Sequence, residues 1–246
     1  MKKKKNLFLL FIVAIGISIY SCNVGDQGRI TTYPPVVAVI DYNFSMGGIT
    51  IGTVYGYFAA PTLPSATVGE CIYIQQFSVD LDNQPSTNFS TASDFIGVET
   101  IDQSGLEVND KVEIGTSTLL FSMADGGSHL YYNGKLFIAA TCKDKSPRYR
   151  LVYNSEEEEP NGVKNLYLLA NPSTESTSSD FGTLHAFDVF NFVQDLGRDT
   201  TIAISNSTES LKLKYIDAKL NYLSEIPVTG EPVYKTTSPF QIFIYK

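Results

Sequence analysis

Most of the chain is built from short runs in which apolar, β-branched and aromatic residues alternate with polar ones. Gly, Pro, Asn, Asp and Ser separate the runs. A period of two places successive side chains on opposite faces of an extended strand, so such a chain is constrained to sheets that bury one face. Arg148-Tyr149-Arg150-Leu151-Val152-Tyr153 and Asn165-Leu166-Tyr167-Leu168-Leu169-Ala170 are the clearest runs. In the first half, Val36–Tyr42, Ile49–Phe58, Cys71–Val79 and Phe95–Ile101 read as strands, and Gly52 and Gly56 suggest tight curvature. Tyr131-Tyr132-Asn133-Gly134-Lys135 carries a two-residue hairpin turn. Thr201–Ile204, Leu211–Ile216 and Phe240–Tyr245 continue the pattern. Phe181–Val193 fits both periods and is assigned to a strand, because aromatic and β-branched residues crowd it. The expectation is an all-β fold. A small β-barrel over residues 36–112 precedes a β-sandwich over 113–246, divided where the pattern relaxes around Val108–Gly115.

One stretch breaks the alternation. Lys2–Lys5 precede an apolar run from Leu7 to Tyr20, shorter than the roughly 20 residues of a spanning helix and matching a secretory signal. Its end, Ile19-Tyr20-Ser21-Cys22, resembles a bacterial lipobox, with Tyr20 bulkier than usual at its position. The resemblance implies that residues 1–21 are a cleaved lipoprotein signal and that Cys22 carries palmitate-type acyl chains. Each buried methylene contributes about 0.8 kcal/mol, so several chains on one residue hold a protein on a membrane. Residues 22–35, ending in Pro34-Pro35, read as a flexible tether.

Charge narrows the partners. Losing the four signal lysines leaves 14 basic against 26 acidic residues, a net charge of −12. Nucleic acid is excluded as a partner by that balance, and membrane affinity is left to the lipid. Two cysteines remain, Cys71 and Cys142. They permit one disulfide in an oxidising envelope, with two buried thiols as the alternative. No metal-ligand spacing joins them to His129 or His185, and no cofactor is implied.

The order of segments resembles the NigD-like lipoproteins of Bacteroidetes. The likeness lies in Tyr57-Phe58-Ala59-Ala60-Pro61 with Gly69-Glu70, in Asn133-Gly134-Lys135-Leu136-Phe137-Ile138, in Arg150–Asn154 and in Leu166–Asn171. It implies a lipobox signal, a small OB-like domain and a β-sandwich, and it brings no catalytic residues. The run of aspartates often found after the lipidated cysteine is missing, so sorting to the cell surface does not follow.

These readings point to a lipid-anchored outer-membrane protein, on the periplasmic or surface face, acting as a non-catalytic binding or assembly module. Its expected partners are the membrane and a glycan or another envelope protein. A surface glycan-binding lipoprotein is one alternative; Tyr131, Tyr132, Tyr149 and Tyr153 are its candidate ligand-facing aromatics, because phenol rings join apolar area to a polar tip. A secreted hydrolase is the other. It would draw on Ser128, His129 and Asp125, or on His185 with Asp188, although no nucleophile elbow is present. Glu156–Glu159 reads as a solvated hairpin loop.

Overall fold

The structure, a computed structural model, describes residues 29–45, 47–65, 67–82, 84, 90–113, 121–123, 129–144, 147–157, 159, 161–171, 176–203, 210–225 and 231–245. Among the described residues the fold is all-β with one short helix, and the chain divides into two compact units at Gln103/Ser104. The division falls inside a strand, ahead of the relaxed stretch at Val108–Gly115 expected to separate the domains.

In the first unit β1 is Ile30–Tyr33, β2 Val36–Asn43, β3 Gly48–Thr53, β4 Gly56–Ala59 and β5 Cys71–Asp80, with the start of β6, Ser90–Asn109. β2 pairs with β3 and β3 with β4, both antiparallel; β4 pairs in parallel with β6; β6 and β2 both pair antiparallel with β5. The ring therefore closes as a five-stranded barrel, which leaves those strands no open edge. Val36, Ala38 and Ile40 of β2 point inward beside Ile51, Phe58, Ile72, Ile74, Phe77 and Val79. Each of the valine, isoleucine and phenylalanine side chains contributes roughly 1.5–3 kcal/mol when fully buried.

Residues 30–33, read from sequence as tether, form β1 instead and pair with Phe77–Asp80 of β5. Tyr33 anchors that strand. Its ring stacks on Phe77 at 4.7 Å and meets the edge of Phe58 at 5.2 Å. Arg29 adds an exposed ion pair with Asp82 at 3.0 Å.

The second unit is a β-sandwich. One sheet contains β7 (Phe121–Met123), β8 (His129–Tyr132), β9 (Lys135–Asp144) and β12 (Ser176–Asp188), with β9 in the middle. The other runs from the end of β6 through β10 (Arg148–Asn154) and β11 (Val163–Asn171) to β14 (Ser210–Glu225). β13 (Arg198–Ala203), β15 (Val233–Thr236) and β16 (Phe240–Tyr245) also pair with β14. Leu136, Ile138 and Ala140 of β9 share one core with Leu151 of β10, Leu166 and Leu168 of β11, and Ile216 and Leu220 of β14.

The Asn133-Gly134 turn is as the sequence indicates. Both residues have positive φ, 47° and 77°, the pairing that lets a two-residue turn match strand twist. Phe181–Val193 departs from expectation. The strand stops at Asp188, and Phe190–Leu196 forms the helix α1. Val189, Phe192 and Val193 are buried at helical spacing, a signal confined to two turns and masked by the β-favouring composition.

Gly197 ends α1 with its N–H donated to the Val193 carbonyl at 2.9 Å. A Cβ there would collide with that same oxygen and crowd Tyr215 O at 3.3 Å. Gly197→Ala is expected to lower stability by about 1–3 kcal/mol, read as a reduced urea midpoint. Gly48→Ala, where a Cβ meets nothing within 4 Å, should stay within about 0.5 kcal/mol of the parent.

Candidate functional site

A two-turn helix is too short to persist alone, so α1 exists because its surroundings complete it. The Asp188 Oδ1 accepts from the Phe190 N–H at 3.1 Å, and the Val189 N–H donates to the Gly134 carbonyl at 2.9 Å. At the other end the Lys214 ammonium reaches the Gln194 carbonyl at 2.5 Å, a cation where the helix has none of its own. Phe192 packs its ring on Tyr153 at 5.0 Å.

Between this helix and the end of β6 lies a cleft of about 390 Å³, lined by Gly105, Leu106, Val108, Asp188, Asn191, Phe192, Asp195 and Leu196. Its volume lies within the range of small-ligand pockets. Val108 and Leu196 are 57% and 43% exposed, so its walls are apolar and wet. Asp188 holds Lys135 at 2.9 Å. Among the described residues Asp195 has no ion-pair or hydrogen-bond partner, and no Lys or Arg lines the cleft.

The β6 wall is held by its parallel pairing with β10 and by Arg150, which grips Glu107 with two hydrogen bonds at 2.8 and 2.5 Å. The Arg150 hydrogen bond is the main reason the Glu107 carboxyl sits below the usual glutamate range; burial works in the opposite direction.

The candidates from sequence scatter. Cys22 lies outside the described residues. Cys71 and Cys142 are buried as thiols, not joined in a disulfide. Cys71 donates to Gln103 Oε1 at 3.2 Å in the first unit, and Cys142 lies in the sandwich core, 3.8 Å from the Tyr149 hydroxyl. Tyr149 and Tyr153, expected to face a ligand, are 5% and 6% exposed and belong to that core. Their partner on the same strand face is Leu151, with Arg148 and Arg150 on the other. Tyr132 is half-buried. Tyr131 is half-buried too; its hydroxyl accepts from the Gly134 N–H at 3.0 Å, and its ring meets Phe243 edge-on at 5.7 Å. With Leu130, Phe240, Gln241 and Phe243 it lines a smaller depression of about 230 Å³.

His185 is buried, its Nε2 3.0 Å from Ser104 Oγ, with its ring against Phe187 and Tyr149. Asp188 stands three residues on, hence on the opposite face of β12, where Lys135 and the Phe190 N–H engage it. Ser128 and Asp125 lie outside the described residues, as does the side chain of His129. Among the described residues no three His, Cys, Asp or Glu side chains gather as a metal site.

The acidic run is not simply solvated. Glu157 accepts from Asn165 Nδ2 at 2.6 Å and from the Tyr167 hydroxyl at 2.8 Å, and Glu159 binds Lys164 at 2.5 Å. Burial, with Glu157 beside it, pushes the Tyr167 hydroxyl far above the ordinary tyrosine range. Glu157 and Glu159 thus turn their side chains onto their own hairpin.

No protein-family model matches the chain, and no curated protein sequence matches it. Solved structures do. An uncharacterized protein from Parabacteroides merdae aligns at TM-score 0.59 and 16% identity, over 85% of this chain and 98% of the other. A protein of unknown function, DUF1344, from Bacteroides vulgatus aligns at 0.56 and 14%, over 85% and 90%. A NigD-like immunity protein from Bacteroides caccae aligns at 0.50 and 12%, over 86% and 94%. The fold is NigD-like. Identities this low speak to the fold alone.

The Glu107–Arg150 pair gives the sandwich a sensitivity to acid. With the folded pKa below the unfolded one, the stabilisation is present above the unfolded glutamate pKa and is lost as pH falls through the folded value. Glu107→Gln should flatten the fall in urea midpoint between about pH 5 and about pH 3, and should cost about 1 kcal/mol or less at neutral pH because the pair is partly exposed.

Proposed function

We propose that the chain is a lipid-anchored envelope protein that works by binding, not by catalysis. Cys22 supplies the anchor through its acyl chains, and the cleft between β6 and α1 is the binding site. The chemistry of that cleft carries the reading. Its lining of two carboxylates, one amide and four apolar side chains contains no histidine, cysteine, serine or lysine. Such a surface offers apolar shape and negative charge to a partner. The Bacteroides caccae relative of the same fold is described as an immunity protein, a role consistent with holding a partner. The glycan-binding alternative is weakened by Tyr149 and Tyr153, which the sandwich core absorbs.

Anchoring is tested by replacing Cys22 with Ser and following the protein in detergent phase separation and in labelling with radioactive palmitate. The parent is expected in the detergent phase and labelled, the variant in the aqueous phase and unlabelled. A variant that partitions like the parent would remove the anchor from the account.

A further inference from the structure

We propose that the β6–α1 cleft takes an extended partner segment in which a lysine or arginine pairs with Asp195 and the adjoining aliphatic side chain packs between Val108 and Leu196. The inference deepens the binding role given above and rests on it.

Three observations lead there. The first is the face that α1 turns to the cleft. Asn191, Phe192, Asp195 and Leu196 line it, together with Asp188 just before the helix. Positions three and four apart share a helix face, so polar and apolar groups alternate along one ridge. Phe192 is 6% exposed and forms the floor, whereas Leu196 at 43% and Val108 at 57% stand open as walls. An aliphatic side chain set between those walls would remove apolar surface of both from water.

The second is charge. Asp188 precedes α1 and Asp195 lies in its last turn, so the two carboxylates stand at opposite ends of the helix. Lys135 already neutralises Asp188. Asp195 lies in the last turn of α1, next to carbonyls that carry partial negative charge, where a carboxylate is unfavourable to the helix itself. The cation that reaches this end, Lys214, is bound to the Gln194 carbonyl. Asp195 is thus the carboxylate of the cleft lining that has no ion-pair partner among the described residues, and the complementary occupant carries a positive side chain there.

The third is the contrast with the depression around Tyr131 and Phe243. Its lining of Leu130, Tyr131, Phe240, Gln241 and Phe243 has no charged group, so it selects no sign of partner.

The test is a titration of the ¹⁵N-labelled mature chain, kept in water by Cys22→Ser, with N-acetyl-arginyl-leucinamide and with its neutral isostere N-acetyl-citrullyl-leucinamide. The expected result is saturable shifts at Leu106, Val108, Asn191, Asp195 and Leu196 with the arginyl peptide. Affinity should be about fivefold lower for the citrullyl peptide, and about fivefold lower for the arginyl peptide on Asp195→Asn. An unchanged spectrum elsewhere in that variant shows that it folds. Equal affinity for the two peptides overturns the cationic class while leaving the cleft a binding site. No shift at the cleft with either peptide overturns the site itself, and the phase-separation result judges the anchor separately.

Discussion

The second unit depends on the interlocking of two sheet faces. β9 presents Leu136, Ile138, Ala140 and Cys142 to the same interior that receives Tyr149, Leu151 and Tyr153 from β10 and Leu166, Leu168 and Ala170 from β11. A strand's period of two makes this arrangement all-or-none, because a one-residue slip would turn the whole apolar set outward. Removing one of these leucines leaves a void that neighbouring strands cannot fill without losing register, which is why such cavities cost about 2–5 kcal/mol. Everything outside the core, from the Asn133-Gly134 turn to the Glu157 loop, is placed by that register.

The cleft follows from how one end of the sandwich is finished. β12 pairs with β9 as far as Asp188, where the chain turns into α1. The cleft lies between that helix and the end of β6. Gly134 makes the junction tight, since a Cβ there would lie 3.1 Å from Phe190. Hairpin turn, helix and cleft thus form one construction.

Much of this architecture was legible in the residues. The alternating runs identified the sheets, and Asn133-Gly134 the hairpin, because these signals act over a few neighbouring positions. Readings failed where the deciding partner was distant in sequence. Ile30–Tyr33 looked like linker because four residues before Pro34-Pro35 carry little pattern; the stack of Tyr33 on Phe77 makes them a strand. The glutamates after Asn154 looked solvated because Asn165 and Tyr167, which receive Glu157, belong to the next strand. Tyr149 and Tyr153 could have been assigned to the core from parity alone, since they share the face of Leu151 and oppose Arg148 and Arg150. The cleft itself had no sequence signature, since Val108 and Asp195 meet it only once the sheets have formed.

The two buried thiols have a use of their own. Cys71 and Cys142 sit in separate units, each shielded until its own surroundings open. A thiol reagent applied under native conditions would therefore label each at a rate set by local opening, and the two rates would time barrel and sandwich independently. Among the described residues each unit thus carries one natural chemical clock.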